Sequence, residues 1–313
     1  MRHILKQVAW AWLDVSLALL AIASIVGFAA RQWWLFELCC HFRAQYFVLL
    51  AAGAVLLLWR RSWYKAATAG MFSLVNLALL LPLYLPSGVT PPKAASTYRL
   101  LSYNVNEYGF QFASTLALIH KTQPDIVVLV EIDYRWLQEL AELERVDGYH
   151  MVQRRGVAIY SRFPIEMYEL PDRAPVGMPS ALSHVTIAGQ RVTLIGAHPS
   201  SPDGRGMAAQ RNSQLADLAR FATAAERPLI VVGDLNTTSW SPYFSDLVRA
   251  ANLRDSRRGF GIQPTFPVPF PPALIPIDHC LVSEGIHVHS RRVAPASGSD
   301  HYPILIEFSV EKQ

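Results

Sequence analysis

Eight side chains of the types that bind hard cations or transfer protons stand beside short apolar runs in this sequence. They are two amides, four carboxylates and two imidazoles: Asn104, Asn236, Glu131, Asp234, Asp278, Asp300, His198 and His301. A strand end holds its side chain rigidly at the edge of a sheet. A set of this composition is therefore suited to metal-assisted or acid–base chemistry.

Each of these positions also has a structural interpretation when it is taken alone. Asp234-Leu-Asn236 after an apolar run is typical of a turn, and the pair Asp300-His301 is typical of a solvated loop. Asp278 opens an apolar run and needs a partner, because burying an unpaired charge is costly. Six polar strand ends in one chain are more than coincidence explains, so we interpret them as one site.

The order of apolar runs after residue 97 predicts an α/β domain. The spacing predicts nine strands, at 98–105, 125–132, 156–161, 181–187, 191–197, 228–233, 277–282, 287–293 and 302–310. Helical spacing predicts four helices, at 112–121, 134–146, 206–225 and 242–250. Two mixed sheets packed face to face with helices outside accommodate this order, whereas a strictly alternating parallel fold does not.

Seven motifs in this region resemble the endonuclease/exonuclease/phosphatase superfamily, which includes deoxyribonuclease I. They are SYNVN, VLVEID, GVAIYSRFPI, GAHPSSP, GDLNT, IDHCLVS and SDHYPI. The resemblance implies a four-layer α/β sandwich, in which two packed mixed β-sheets are flanked by helices, over residues 98–313. An apolar N-terminal third before such a domain is similar to the bacterial membrane-bound members of the superfamily.

The resemblance also implies hydrolysis of a phosphoester by activated water with Mg²⁺ or Mn²⁺. It assigns the metal to Asn104, Glu131 and Asp300. It assigns catalysis to His198, Asp234, Asn236, Asp278 and His301. In this scheme His301 is the general base and Asp278 fixes its tautomer, while Asp234 orients water or contacts the metal. Asn236 and His198 then donate hydrogen bonds to the phosphate.

Four positions refine the resemblance. Asn106 stands where several relatives carry an acid, which argues against a second metal site. His198 stands where the apurinic branch carries a tyrosine, so the chain is more similar to the deoxyribonuclease and sphingomyelinase branches. His279 follows Asp278 where an aromatic is frequent, and we interpret His279 as structural. Arg211 is expected to support the site rather than to act in it.

The proline-rich segment 263–276 has no regular hydrogen-bonding pattern, because proline lacks a backbone N–H. It either lines the substrate cleft or touches the bilayer. The alternative is that it packs over the edge of the sheet.

Residues 1–86 are predicted to form a transmembrane region with three spans, at about 8–30, 44–61 and 66–86. The second span is short unless its helix extends back towards Cys40. A cleaved signal peptide is the alternative for the first run, but two more apolar runs follow it. Lys and Arg at the N-terminus and in the second loop place both inside, and the catalytic domain outside, on the periplasmic side of a bacterial inner membrane. A linker, 87–97, precedes that domain.

Charge narrows the expected partners. From Tyr98 onward the chain has 20 basic and 22 acidic residues, so a basic groove for nucleic acid is not favoured. The expected partners are the bilayer and a phosphate-ester substrate, which is a lipid head group, a nucleic acid or a soluble phosphoester. No obligate protein partner is indicated. The alternative from a different class is a catalytically silent membrane scaffold that keeps the fold to bind a partner.

Overall fold

The computed structural model describes residues 1–86, 96–167 and 180–311. Within these ranges the α-helices are α1 (Arg2–Val26), α2 (Trp34–Cys39), α3 (Arg43–Trp59), α4 (Trp63–Leu80), α5 (Phe112–Thr122), α6 (Tyr134–Glu139), α7 (Glu142–Arg145), α8 (Arg205–Ala224) and α9 (Pro242–Ala250). The strands are β1 (Tyr98–Asn104), β2 (Ile126–Val130), β3 (His150–Arg154), β4 (Val157–Ser161), β5 (Ile165–Met167), β6 (Ser180–Ile187), β7 (Gln190–Ala197), β8 (Leu229–Asp234), β9 (Arg254–Asp255), β10 (Asp278–Val282), β11 (Ile286–Val293) and β12 (Ile304–Val310).

Polar contacts tie the N-terminal helices together at both ends of α4. Near its end, Asn76 Nδ2 donates to Ser24 Oγ of α1 at 2.8 Å. Arg43 of α3 donates to the Ser24 carbonyl at 2.7 Å. Near the start of α4, Lys65 Nζ donates to Asp14 Oδ2 at 2.5 Å. The acid in the middle of α1 is therefore paired, as an ionisable group in an apolar helix must be.

Three helical segments are long and apolar enough to cross a membrane: His3–Ala29, Trp34–Trp59 and Trp63–Leu83. Their number matches the prediction. The second is longer than predicted because α2 and a 3₁₀ turn, Cys40–Phe42, lead directly into α3. That these segments cross a bilayer stays a prediction, and most of the predicted linker, 87–97, lies outside the described residues.

The C-terminal part contains two six-stranded mixed sheets. The first has the order β11-β12-β1-β2-β4-β3, and the second has the order β5-β6-β7-β8-β10-β9. β1 is parallel to β2 and β7 is parallel to β8, while the other paired strands are antiparallel. Each sheet thus contains one parallel pair, and both members of each pair end at the same edge.

Three apolar clusters define four layers. The middle cluster lies between the sheets and includes Leu100, Val128, Ile159, Leu194 and Ile230. One outer cluster packs α5 and α6 on the first sheet, and includes Leu118 and Trp136. The other packs α8 and α9 on the second sheet, and includes Leu218 and Phe244. The predicted four-layer α/β sandwich, preceded by three long apolar helices, is confirmed.

The structure differs locally from the sequence prediction, since β3, β5 and β9 were not among the nine predicted strands and one predicted helix is divided. The single helix predicted at 134–146 is split into α6 and α7, because Leu140 leaves helical geometry with φ −93° and ψ 7°. The break accompanies complete burial of both Leu140 and Leu143. The sequence does not predict β3, because Val152 is the one buried residue of the five on this edge strand.

Gly233 is expected to accept no side chain. Its φ is +142°, and an added Cβ would clash with the Ala197 carbonyl on β7. Gly233→Ala should lower the free energy of unfolding by more than about 2 kcal/mol, measured as a lower Tm of the full-length protein in detergent. Gly206→Ala is the control, because its Cβ would enter open space in the first turn of α8. Equal Tm values for the two variants would contradict the close approach of β7 and β8.

Candidate active site

The predicted site residues lie at one edge of the sandwich, which we call the rim. β1, β2, β7 and β8 end there, and β10 and β12 begin there. Antiparallel pairing of β10 with β8 sets Asp278 directly opposite Asp234. Residues 299–301 reach the rim because they precede β12, which is antiparallel to β1. The rim therefore collects side chains from both sheets.

The Asn104 amide joins the two sheets at the centre of the rim. Its Nδ2 donates to Glu131 Oε1 at 2.8 Å and to Asp234 Oδ2 at 3.1 Å. The same nitrogen lies 3.5 Å from His301 Nε2. Glu131 has a left-handed backbone with φ +60°, a conformation that is uncommon outside glycine and recurs at functional sites. Three of the predicted residues thus converge on the amide of a fourth, Asn104.

His198 and Asn236 complete the side of this centre formed by the second sheet. His198 Nε2 lies 3.3 Å from Glu131 Oε1 and 3.8 Å from Asp234 Oδ2. Asn236 Nδ2 lies 3.4 Å from His198 Nε2 and donates to the Pro199 carbonyl at 2.9 Å. The Asn236 backbone N–H donates to Asp234 Oδ1 at 2.8 Å, which holds the turn after β8. Both side chains therefore face the same polar centre.

His301 and Asp278 form a buried pair, with 2.8 Å between Nδ1 and Oδ2. The other ring nitrogen, Nε2, lies 3.7 Å from Asp234 Oδ2 and so faces the polar centre. Phe266 packs against the imidazole, with 4.7 Å between the ring centroids. The proline-rich segment 263–276 therefore lines the site, which was one of the interpretations left open by its sequence.

Asp300 lies on the side of the centre nearest the first sheet. Its Oδ1 accepts a hydrogen bond from Asn106 Nδ2 at 3.1 Å and one from Ser299 Oγ at 3.2 Å. The Asn106 backbone N–H in turn donates to Asn104 Oδ1 at 3.0 Å. Ser299 Oγ also lies 2.8 Å from the Asn104 carbonyl oxygen, so its one hydrogen is shared between the two acceptors, and Ser299 is a positioning residue that the sequence reasoning did not single out.

Burial and neighbouring charges shift the pKa values at the rim. Burial raises the pKa of Glu131, but hydrogen bonding, chiefly from His198, outweighs it and lowers the pKa to about 2. Burial, reinforced by Asp278, raises the pKa of Asp234. Burial lowers the pKa of His301, but Asp278 and the other nearby acids outweigh it and raise the pKa to about 9. The rim therefore carries an excess of negative charge that a cation would offset.

The donor set at the rim fits a hard divalent cation. Ligand atoms of Glu131, His198 and Asp234 lie within 4.8 Å of one another, and so do those of Asp234, Asp278 and His301. Carboxylate oxygens are preferred ligands of Mg²⁺ and Mn²⁺. Among the described residues Asp300 belongs to neither group, so its place in the ligand set stays a prediction.

Arg211 supports the turn after β8, in agreement with its predicted role. Its Nη1 donates to the Asn236 carbonyl at 2.6 Å, and its Nη2 donates to Glu37 Oε2 at 2.5 Å. The Arg211 and Glu37 side chains are 0% and 1% exposed. The sequence reasoning missed Glu37, although an acid in an apolar segment signals a buried partner. His279 accords with a structural role, because its Nε2 lies 2.8 Å from the Thr237 carbonyl oxygen.

The comparison with known families agrees with this geometry. A sequence model of the Endonuclease/Exonuclease/phosphatase family matches residues 101–301. The chain belongs to this family, whose members are phosphoester hydrolases that use divalent metals. No curated protein sequence matches the chain significantly.

Solved structures share the fold of the C-terminal part. A TDP2 from D. rerio, humanized by 14 mutations, is 17% identical, with a TM-score of 0.55 over 68% of this chain and 99% of its own. A family protein from Bacteroides thetaiotaomicron is 17% identical, with a TM-score of 0.55 over 70% and 100%. The 3′ phosphatase NExo from Neisseria, bound to a product DNA hairpin, is 22% identical, with a TM-score of 0.55 over 68% and 99%. Identities this low establish similarity of fold alone.

Proposed function

We propose that this protein is a membrane-anchored, Mg²⁺- or Mn²⁺-dependent phosphoesterase that hydrolyses a phosphodiester or phosphomonoester by attack of an activated water. One observation carries the proposal. The Asn104 amide bridges Glu131 and Asp234 directly in front of the buried His301–Asp278 pair. A cation site and a proton acceptor would then lie close enough together to act on the same phosphate group.

In this proposal the cation is held by Glu131, Asn104 and Asp300. When bound, such a cation would polarise a phosphoryl oxygen and would stabilise charge on the leaving oxygen. The low pKa of Glu131 keeps its carboxylate ionised across the physiological range. The Asn106 side chain orients Asp300 through its hydrogen bond to Oδ1.

His301 accepts the proton of the attacking water at Nε2 in this proposal. Asp278 binds Nδ1 at 2.8 Å, so Nδ1 keeps its hydrogen, and the proton that His301 loses above its raised pKa of about 9 leaves from Nε2, which is then the basic atom. Asp278 also stabilises the imidazolium that forms when the proton is taken. Asp234, 3.7 Å from Nε2, orients the water.

His198 and Asn236 contribute hydrogen bonds to the phosphate. Asn236 Nδ2 and His198 Nε2 lie 3.4 Å apart, so they can reach neighbouring oxygens of one phosphoryl group. Donors fixed in this way favour the transition state, in which negative charge on these oxygens increases.

Three spans within residues 1–86 anchor the catalytic domain, 98–313, through the linker 87–97. The domain is proposed to lie on the periplasmic side of a bacterial inner membrane. The positive residues Lys6, Arg60, Arg61 and Lys65 lie before the first span and between the second and third spans, which places those segments on the cytoplasmic side and the end of the third span on the other side. The three long apolar helices support the anchor.

Hydrolysis of bis-p-nitrophenyl phosphate and p-nitrophenyl phosphate by full-length protein in detergent tests this function. We expect EDTA to abolish activity and Mg²⁺ or Mn²⁺ to restore it. His301→Ala and Glu131→Ala should each lower kcat by at least about 10²-fold. His120→Ala is the control, because His120 lies near the end of α5, where it pairs with Asp147 away from the rim. Equal rates in all four proteins would contradict the proposal and favour the silent scaffold.

A further inference from the structure

Large exposed apolar side chains of the sandwich are concentrated at the rim. Among the described residues from 96 onward, six such side chains are exposed: Tyr108, Phe110, Tyr134, Val146, Met207 and Phe270. Val146 follows α7 and is the one member away from the rim. The exposure of Tyr108, Phe110 and Tyr134 is 70% or more, so burial in this chain does not explain them.

The other five belong to segments that carry catalytic residues. Tyr108 and Phe110 follow Asn104 in the loop after β1, and Tyr134 comes three residues after Glu131. Met207 lies in the first turn of α8, after the loop that begins at His198. Phe270 lies in the proline-rich segment, which packs Phe266 against His301. We call these five side chains the apolar ring, because the segments that carry them at the rim also carry the residues of the polar centre.

Part of the apolar ring is held in place by the fold. The Phe110 ring lies 6.2 Å from the Phe112 ring, which packs edge-on against buried Trp136 at 4.6 Å. The Arg135 guanidinium lies 5.1 Å from the centre of the Phe110 ring. Phe270 lies at the tip of a hairpin closed by a bridge between Phe266 and Ile275. These contacts present Phe110 and Phe270 to the outside.

The apolar N-terminal helices contact the sandwich at the same rim. His41 Nδ1 lies 2.9 Å from Thr238 Oγ1, and Trp240 Nε1 donates to the Leu79 carbonyl at 3.2 Å. Gln45 of α3 donates to the Leu274 carbonyl at 2.8 Å, in the hairpin that carries Phe270. Helices that cross a bilayer would therefore place the polar centre and its apolar ring at the membrane surface.

We propose that the apolar ring inserts into the interfacial layer of the bilayer, so that the site acts on phosphoesters carried by membrane lipids. Aromatic side chains favour this layer, where their rings are partly buried and polar atoms stay hydrated. The sandwich has 20 basic and 22 acidic residues, so its overall charge does not favour a nucleic acid. This inference rests on the proposed function and names its substrate class.

Two synthetic diesters with the same reacting group test the inference. Hexadecyl p-nitrophenyl phosphate partitions into bilayers, whereas methyl p-nitrophenyl phosphate stays in water. Full-length protein is reconstituted in phosphatidylcholine vesicles with Mg²⁺, and kcat/KM is measured for both esters. We expect at least about a 10-fold preference for the hexadecyl ester, because its chain concentrates the phosphate at the bilayer surface.

Rim variants separate the contribution of the apolar ring from simple partitioning. Phe110→Ser/Phe270→Ser should reduce the preference for the hexadecyl ester by about 5-fold or more, since two interfacial contacts are lost. Val146→Ser removes an apolar side chain that is 75% exposed and lies away from the rim, and it should leave the preference unchanged.

The other outcomes distinguish failure of the inference from failure of the proposed function. If the methyl ester is hydrolysed but the double variant keeps the full preference, the inference is wrong and the proposed function stands. The same conclusion follows if a single-stranded oligonucleotide is cleaved with a higher kcat/KM than the hexadecyl ester. If wild-type protein hydrolyses neither ester, nor the oligonucleotide, nor p-nitrophenyl phosphate, the proposed function fails and the inference fails with it.

Discussion

Asp278→Asn is expected to lower kcat for bis-p-nitrophenyl phosphate by about 10³-fold or more. Asp278 Oδ2 lies 2.8 Å from His301 Nδ1, and both side chains are at most 5% exposed. An asparagine of the same shape can turn its NH₂ group toward Nδ1, which moves the imidazole hydrogen to Nε2. His301 then cannot accept a proton from water at the atom that faces Asp234.

The loss should be specific to proton transfer. The substitution removes neither Glu131 nor Asn104, so Mn²⁺ affinity should stay within about 3-fold of wild type. The Tm of the variant in detergent shows whether the buried substitution has damaged the fold. A variant with unchanged Tm and near-normal kcat would mean that the His301–Asp278 pair does not take part in the reaction.

Glu37→Gln is expected to lower kcat by about 10- to 100-fold with little change in KM, although Glu37 lies in a candidate membrane span. Arg211 donates one hydrogen bond to the Glu37 carboxylate at 2.5 Å and another to the Asn236 carbonyl at 2.6 Å. The glutamine leaves a buried guanidinium without its ion pair, which destabilises this contact by about 3–5 kcal/mol. The turn that carries Asp234 and Asn236 should then shift.

A matched control breaks a different contact between the same two parts of the chain. Arg31 on the helical region pairs with Asp246 of α9 at 2.8 Å, but both side chains are about half exposed. Asp246→Asn should therefore change kcat by less than about 2-fold, since exposed ion pairs contribute little. Equal kcat values for Glu37→Gln and Asp246→Asn would exclude a supporting role of Glu37.

A double variant separates two effects of Glu37→Gln: the loss of stability, and the loss of the contact that positions the turn after β8. In Glu37→Gln/Arg211→Gln no buried charge is left unpaired, so Tm should recover toward the wild-type value. The hydrogen bond to the Asn236 carbonyl is still lost, and kcat should therefore stay low. Recovery of both quantities would assign the effect of Glu37→Gln to stability alone.

The site residues could be predicted from the sequence because each follows or precedes an apolar run. Asn104, Glu131, His198 and Asp234 lie at or directly after strand ends, where a polar side chain in an apolar context is conspicuous. Their convergence could be expected only through the family resemblance, because spacing along the chain does not state which strands are neighbours. Asn104 and Asp234 are 130 residues apart, and their 3.1 Å contact depends on the packing of two sheets.

The contacts of the helical region could not be predicted in the same way. Glu37 and Arg211 are 174 residues apart and belong to elements with unrelated apolar periods. A lone acid signals that a partner exists, but not which one. The apolar ring could not be predicted from the sequence either, because single exposed aromatic residues are common. Phe110, Tyr134 and Phe270 form one group only when the fold brings their loops to the same edge.

Mn²⁺ binding, followed by electron paramagnetic resonance during titration of the full-length protein, tests most directly whether one cation site and one proton acceptor share the rim. We predict that wild type binds Mn²⁺, that Mg²⁺ competes, and that Glu131→Gln weakens binding by at least about 10-fold. His301→Gln should bind Mn²⁺ and yet be inactive. Absence of binding in wild type, or equal affinity in wild type and Glu131→Gln, would contradict the account.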